Sequence, residues 1–180
     1  MSEQDEHGNE RGDGHEQRTR ARASEPRPGG TEWFAKADPA TGKSGLSFSC
    51  TMCGNCCTGP EGYVLITEAE ANALAARLGI EVGDFLARFT KMTELGRSLS
   101  EKLSSYGHDC VFLDREKISG KAVCGVYEDR PTQCRTWPFW NTIVQSRAHW
   151  ERAKRSCPGI DRGTHYSVQQ IRVLRDTMAM

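Results

Sequence analysis

The sequence contains no apolar run near the roughly 20 residues needed to span a bilayer, so a transmembrane helix is excluded. It also lacks the basic start, apolar stretch and small-residue cleavage site of a signal peptide. Lys and Arg together number 24, as do Asp and Glu, so no excess of positive charge favours a nucleic acid or a membrane surface as partner. We therefore expect a cytoplasmic protein with neither partner.

Apolar side chains are scarce as well. Residues 1–30 contain no Leu, Ile, Val, Phe, Trp, Tyr or Cys, which predicts a disordered polar tail because such a segment cannot offset the entropy of ordering it. The 150 residues that follow contain 30 Leu, Ile, Val and Phe, the lower edge for a self-sufficient core. Eight cysteines are the obvious supplement, since thiols in a reducing compartment bind metals more often than they form disulfides.

The rest of the chain is predicted to be a linker over residues 31–45 and one cysteine-cluster metal-binding domain over 46–180. Its fold class is α+β: a small metal-stapled domain with short strands and a few helices. Capping-box patterns at Thr67 and Ser167 predict two helix starts, and Gly79 predicts the end of the first helix.

The segment between these helices predicts further short elements. A second helix is expected from Asp84. Residues 93–107 are favoured as strand, although they would tolerate helix. Two strands, Cys110–Asp114 and Lys121–Cys124, are predicted to form a hairpin, which would bring Cys110 and Cys124 close together.

Four cysteines lie within eight residues, at Cys50, Cys53, Cys56 and Cys57. Two residues between ligands let the backbone turn so that both sulfurs face one metal, which is why this spacing recurs in zinc and iron–sulfur sites. Gly54 fits such a turn, since glycine adopts positive φ without steric cost. Buried free thiols and disulfides are the alternatives, but ionised thiolates this close repel one another unless a cation binds them. The cluster therefore predicts a metal site.

Cys56 and Cys57 are adjacent, and neighbouring side chains usually point in different directions. We therefore do not expect them to share one metal ion, which leaves two sites or one multinuclear cluster. Later cysteines complete the set of candidate metal ligands: Cys50, Cys53, Cys56, Cys57, Cys110, Cys124, Cys134 and Cys157. Spacing does not separate an iron–sulfur cluster from zinc, because both accept four thiolates, and it does not show how the eight cysteines divide.

Side chains near the cysteines allow two interpretations each. Arg130 and Arg135 could neutralise thiolates or hold an anionic substrate, or they could pair with neighbouring acidic residues to hold a turn. Trp137, Phe139 and Trp140 could shield a metal cluster from water, but ordinary core packing is the favoured interpretation.

Four motifs follow one another in order. They are the cysteine run within 48–59, Cys-Val-Phe-Leu-Asp at 110–114, Cys-x-x-Tyr-x-x-Arg-Pro-x-x-Cys-Arg at 124–135 and Pro-Phe-Trp at 138–140. Together they resemble the CxxCxxCC family of zinc- or iron-chelating proteins, also called the YkgJ family, over roughly residues 46–162. The resemblance implies that all eight cysteines are family-type metal ligands, and family members are mostly bacterial. A related motif occurs in flagellin lysine N-methylases.

Three functions follow as hypotheses. The first is a metal-chelating domain that holds an iron–sulfur cluster or zinc and could be redox-active. The second, implied by the resemblance to flagellin N-methylases, is a cluster-dependent protein-lysine methyltransferase, although about 150 residues leave little room for a separate cofactor domain. The third is a zinc-built adaptor that binds a protein. No catalytic residue is assigned, and no phosphate-binding loop indicates a nucleotide.

Overall fold

The structure, a computed structural model, describes residues 32–39 and 41–178, so the predicted tail over residues 1–30 lies outside the described residues. The described residues form an α+β fold, as predicted. Its helices are α1 (Glu68–Leu78), α2 (Val82–Phe89), α3 (Thr132–Arg135), α4 (Asn141–Val144), α5 (Arg147–Ser156) and α6 (Val168–Thr177).

The strands are short and pair two by two in antiparallel fashion. They are β1 (Leu46–Phe48), β2 (Thr90–Thr93), β3 (Gly96–Leu99), β4 (Glu101–Ser104), β5 (Gly107–Cys110), β6 (Leu113–Asp114), β7 (Val123–Cys124) and β8 (Thr164–Tyr166). Three of the pairs are local hairpins, β2–β3, β4–β5 and β6–β7, whereas β1 pairs with the distant β8 in the register Ser47 to His165.

The two predicted capping boxes are confirmed. The Thr67 hydroxyl accepts a hydrogen bond from the Glu70 amide at 3.2 Å, and the Glu70 carboxylate accepts one from the Thr67 amide at 2.9 Å. Ser167 and Gln170 form the same reciprocal pair at the start of α6. Gly79 ends α1 with φ 66°, a left-handed conformation that glycine adopts without steric cost.

The middle of the chain differs in detail from the prediction. Helix α2 begins at Val82 after Glu81, two residues before the predicted start at Asp84. Residues 93–107 are strands and turns, as favoured. The predicted hairpin between Cys110–Asp114 and Lys121–Cys124 is confirmed over Leu113–Asp114 and Val123–Cys124 only. Cys110 belongs instead to the hairpin β4–β5, where it pairs with Glu101.

Buried apolar residues form two clusters. The tryptophan cluster consists of Phe34, Leu46, Phe139, Val144, Trp150, Cys157, Ile160 and Ile171. The phenylalanine cluster consists of Ala71, Leu74, Ala75, Phe85, Leu99 and Val126, with the rings of Phe85, Phe89 and Phe112 stacked on one another.

The segment predicted as a linker over 31–45 contributes to the tryptophan cluster. Phe34 is 2% exposed, and Trp33 donates its indole N–H to the carbonyl of Val144 at 2.7 Å. Glu32 forms ion pairs with Arg172 and Arg175 of α6 at 2.6 and 3.2 Å. Over the ranges that the structure describes, no helix is long and apolar enough to cross a bilayer.

Candidate metal centre

A cavity of about 150 Å³ lies between the two apolar clusters. All eight predicted metal ligands line it: Cys50, Cys53, Cys56, Cys57, Cys110, Cys124, Cys134 and Cys157. Phe48 and Trp137 of its wall pack against the tryptophan cluster, and Val64 and Phe112 pack against the phenylalanine cluster. All eight cysteines are free thiols. The fold therefore brings five separate stretches of chain that carry cysteines around one space.

The loop from Cys50 to Cys57 turns at Met52 and Gly54, which have φ values of 56° and 78°. A Cβ atom at Gly54 would lie 2.6 Å from the Cβ atom of Ala122, closer than real Cβ atoms approach. Glycine is therefore required here for two reasons: its backbone is left-handed, and the chain that leads to Cys124 leaves no room for a Cβ atom.

Hydrogen bonds tie this loop to the chain beside three other cysteines. The carbonyl of Cys57 accepts from the Cys110 amide at 2.8 Å. The carbonyl of Met52 accepts from the Ala122 amide at 2.8 Å, and the Asn55 side chain donates to the Ser156 carbonyl at 2.6 Å. These hydrogen bonds thus fix the positions of the cysteines relative to one another.

Cys134 reaches the cavity from the short helix α3. The Thr132 amide at its first residue donates to the Glu70 carboxylate at 2.6 Å, so one acidic side chain serves the starts of both α1 and α3. The Gln133 side chain accepts from the Leu65 amide at 2.9 Å and donates to the Tyr63 carbonyl at 3.1 Å. These bonds hold α3 against the segment that follows the cysteine loop.

The sulfur atoms of Cys56 and Cys57 lie 3.6 Å apart and both face the cavity, so the expectation that they point in different directions is wrong. Four thiolates around one metal, with bonds of about 2.3 Å and tetrahedral angles, have sulfurs about 3.8 Å apart. The observed sulfur–sulfur distance of 3.6 Å is close to this value. The hydrogen bond from the Cys57 amide to the Gly54 carbonyl, 2.8 Å, closes the turn that brings both side chains to one face.

The thiols strongly perturb one another. The hydrogen bond between Cys56 and Cys57 lowers the pKa of Cys56 to about 7, helped by the positive charge of Arg130, and raises the pKa of Cys57. Burial raises the pKa of Cys110 to about 11 and that of Cys134 to about 12, with smaller contributions from neighbouring thiolates. Without a cation, the cavity resists ionisation of most of its thiols.

Two arginines lie beside the cysteines. Arg130 lines the cavity with its guanidinium 3.6 Å from the centre of the Tyr127 ring, and its charge favours the ionised forms of Cys56, Cys124 and Cys134. Arg115 forms two hydrogen bonds of 2.9 Å to the buried carboxylate of Asp109.

Arg135 is structural. It donates to the Arg130 carbonyl at 2.8 Å and to the Thr132 hydroxyl at 3.0 Å, and it does not line the cavity. The aromatic residues divide in the same way. Phe139 is a core residue, 1% exposed, whereas Trp137 and Trp140 line the cavity and meet edge to face at 4.9 Å.

The donor set suits a thiophilic metal. Sulfur ligands select zinc, copper(I) and iron–sulfur clusters over hard cations such as magnesium and calcium. Among the described residues, no three His, Cys, Asp or Glu side chains already converge at the separations of a single bound ion. The thiols instead surround a shared space, and two buried donors of the cavity wall, Thr51 Oγ1 and Trp137 Nε1, lack a hydrogen-bond partner. An anionic metal–thiolate group fits this lining.

Sequence reasoning missed two residues of this wall, Thr51 and Gln133, and two that support its loops from outside, Asn55 and Arg115. Thr51 and Asn55 stand between the cysteines of the first motif, so their positions were a usable signal. Arg115 and Gln133 carried none, because their contacts with Asp109 and Tyr63 depend on how the chain folds back.

Eight thiols around one cavity, carried by an α+β fold too poor in aliphatic residues for a large core, define a cysteine-rich metal-chelating domain. Residues 49–158 match the sequence model of the CxxCxxCC family, described as "Putative zinc- or iron-chelating domain". The chain belongs to this family. No solved structure matches it significantly. The match includes every one of the eight cysteines and ends one residue after Cys157.

Proposed function

We propose that the eight cysteines hold one polynuclear metal centre of iron or zinc in the cavity between the two clusters. The observation that carries this proposal is that all eight line a single space, instead of forming two separated groups of four. The family description covers zinc or iron chelation only. It names neither the ligands nor the number of metal ions, which we propose here.

Cys56 supports a shared centre because it lies within electrostatic reach of thiols from several segments. After burial, which is the largest cause, its charge contributes to the raised pKa values of Cys124, Cys134 and Cys157. It also forms the 3.6 Å contact with Cys57. A thiolate in such a central position suits a ligand that bridges two metal ions, whereas isolated four-thiolate sites would need no common member.

If the metal is iron, we further propose that the centre is redox-active, since zinc has no redox chemistry. An iron–sulfur cluster behind Trp137, Trp140 and Phe112 would be shielded from water, and burial and hydrogen bonds to sulfur are the means by which proteins set cluster potentials. A cytoplasmic location is part of the same proposal, since it keeps the thiols reduced.

The test is metal analysis and absorption spectroscopy on protein purified without oxygen. We expect at least two metal ions per chain, with broad visible absorption if the metal is iron and a dithionite-induced paramagnetic signal if the cluster is redox-active. Colourless protein with two zinc ions, in which substitution of Cys53 removes one ion and leaves the other fully bound, would contradict a shared centre. Met92→Ser is the matched control, since this sulfur side chain is 66% exposed and does not line the cavity.

The alternative functions have weaker support. A protein-binding adaptor would use exposed apolar side chains, and Met92, Leu95, Leu103 and Tyr106 are exposed on the hairpins β2–β3 and β4–β5. Singly exposed apolar residues are normal on protein surfaces, so they do not favour this role. No observation on the described residues favours the protein-lysine methyltransferase.

A further inference from the structure

The hydrogen bonding of the tryptophans singles out one indole. Three of the four tryptophans in the sequence donate their indole N–H to oxygen: Trp33 to the Val144 carbonyl at 2.7 Å, Trp140 to the Gln133 carbonyl at 3.0 Å and Trp150 to the Asp161 carboxylate at 2.8 Å. The fourth, Trp137, has a buried indole nitrogen without a hydrogen-bond partner.

Within the described part of the chain, buried side-chain nitrogen or oxygen atoms without a partner occur at two residues, Trp137 and Thr51. Both residues line the eight-cysteine cavity. Native proteins satisfy almost all buried polar groups, because a buried donor without an acceptor costs stability. Two such donors on one cavity wall indicate that the cavity is completed by an acceptor.

The acceptor that faces Trp137 is the sulfur of Cys157. Both residues line the cavity, and Trp137 packs against the tryptophan cluster, to which Cys157 belongs. Burial raises the pKa of the Cys157 thiol, and the Trp137 side chain opposes that rise. A neutral thiol is a weak acceptor, whereas a thiolate takes part in charge-assisted hydrogen bonds that are shorter and stronger. A metal-bound Cys157 thiolate would therefore be a better acceptor for the indole than a neutral thiol.

The surroundings hold the indole in place for this contact. Trp137 packs at 85° against the ring of Trp140, which is itself fixed by its bonds to Gln133 and Thr136. Cys157 is 7% exposed and is held at the end of α5, where its amide donates to the Ala153 carbonyl at 2.9 Å.

Thr51 lies on the cysteine loop, directly after Cys50. Its carbonyl accepts from the Lys121 side chain at 3.2 Å, which fixes the main chain and leaves the buried hydroxyl facing a wall made of thiols. A hydroxyl donates to a thiolate as an indole does.

We infer that Trp137 and Thr51 are positioning residues that donate hydrogen bonds to metal-bound sulfur, Trp137 to the Cys157 thiolate and Thr51 to a sulfur of the same centre. This inference rests on the proposed function, because the acceptors form only when the metal replaces the thiol protons. The donors stabilise thiolate charge that would otherwise stand in an apolar wall, and they thereby slow the release of the metal.

The test uses full-length protein loaded with ¹¹³Cd²⁺ and labelled with ¹⁵N. A hydrogen bond from an indole N–H to a cadmium-bound thiolate transmits a scalar coupling between the indole proton and the metal. We expect this coupling for Trp137 and not for the three indoles that donate to oxygen. A merely structural role for Trp137 would produce no such coupling.

The rate at which a chelator removes Cd²⁺ provides the second measurement. Trp137→Phe keeps an aromatic ring but loses the donor, and we expect release to accelerate about tenfold, the lower end of the effects of outer hydrogen-bond partners on metal affinity. Trp33→Phe is the matched control, since it removes an indole that donates to a carbonyl outside the cavity. Thr51→Val should accelerate release, whereas Thr51→Ser, which retains the hydroxyl, should restore the slow rate.

The outcomes separate this inference from the proposed function. If the wild-type protein retains Cd²⁺ but shows no coupling, and Trp137→Phe releases the metal no faster than Trp33→Phe, the inference is wrong and chelation stands. If the wild-type protein retains no Cd²⁺, chelation at this cavity and the inference fail together. Coupling together with faster release confirms the donors.

Discussion

The tryptophan cluster and the phenylalanine cluster are assembled in different ways. The phenylalanine cluster is local in sequence and draws on residues between Val64 and Val126. The tryptophan cluster joins the ends of the described chain, from Trp33 to Phe48 and from Trp137 to Leu174, and its strand pair β1–β8 is the long-range one. The chain therefore crosses from one cluster to the other twice.

Both crossings carry cysteines. The first, over residues 49–63, contains Cys50, Cys53, Cys56 and Cys57, and the second, over residues 127–136, contains Cys134. The tryptophan cluster adds Cys157, and the phenylalanine cluster is packed by Cys110 and Cys124. A metal centre bound by all eight would join two small cores that each bury few side chains. The cysteines therefore lie where the two clusters meet.

The largest effect on this junction is expected from substitution of Cys56, the proposed central ligand. Cys56→Ser is expected to lower bound metal and to reduce the free energy of unfolding by about 5 kcal/mol or more, since structural thiolate sites in small domains contribute on the order of 10 kcal/mol to folding. Cys53→Ser should lower both in the same way. Metal analysis and chemical denaturation measure the two effects. Unchanged metal content in both variants would refute chelation by this loop.

Core substitutions test whether the clusters unfold together. Phe85→Ala and Phe139→Ala each remove a side chain that is at most 1% exposed and should cost about 3–5 kcal/mol. In metal-loaded protein, both should lower one common thermal transition. After chelation, each should loosen its own cluster, which hydrogen exchange along the chain resolves. Equal loosening of both clusters in each metal-free variant would show that they form one unit without metal.

A glycine substitution tests the fit of the cysteine loop against the phenylalanine side. Gly54→Ala should cost about 1–3 kcal/mol, because it combines a left-handed φ with a Cβ atom 2.6 Å from that of Ala122. Gly120→Ala is the matched control: its φ is 71°, but no atom lies within 4 Å of the added Cβ. Thermal denaturation should show the larger loss for Gly54→Ala, and equal losses would mean that only the backbone conformation matters.

An acidic pH series tests the tie between the chain start and α6 in the tryptophan cluster. The ion pair with Arg172 lowers the pKa of Glu32 from 4.5 to about 2. Because the folded pKa is depressed, the contribution is full above pH 4.5 and is lost as the pH falls from 4.5 towards 2. Above pH 4.5, Glu32→Gln should lower the free energy of unfolding by about 1–2 kcal/mol, allowing for solvent screening. Between pH 4.5 and 2 the substitution should lower it by less.

The unfolding free energies of wild-type and Glu32→Gln protein should be compared at equal metal content, since acid also protonates thiolates. Glu151→Gln, which removes an exposed pair at 3.9 Å, is the control and should have almost no effect. A constant difference between wild type and Glu32→Gln from pH 6 to pH 2 would contradict the assignment.

The smallest effect is expected from deletion of residues 1–30. This expectation comes from composition alone, because the segment has almost no apolar side chains to pack on either cluster. Metal content and melting temperature should stay within error of the full chain. A marked drop in either would show that the polar segment contributes to the fold.

The sequence determined by itself those features that depend on neighbouring residues. Each capping box needs only residues three apart, and the left-handed end of α1 needs only Gly79, so these were predictable. The family and the metal-chelating class followed from four short motifs, three of which carry cysteines. Helix α5 was missed because its surface is strongly basic and Trp150 is its one fully buried side chain, which leaves little apolar periodicity to detect.

That the eight cysteines line one cavity follows from the tertiary structure and not from the local sequence. Cys110 and Cys124 lie in different hairpins, and Cys157 arrives on the tryptophan cluster, so their common cavity depends on contacts between residues about 50 to 100 positions apart. The turn closed by the bond from the Cys57 amide to the Gly54 carbonyl brings the sulfurs of Cys56 and Cys57 to one face, against the expectation for adjacent side chains. The fold also leaves the buried Trp137 indole nitrogen in the cavity wall without an oxygen acceptor. Local spacing carries ligand chemistry, whereas long-range packing selects which ligands share a site and which donors surround it.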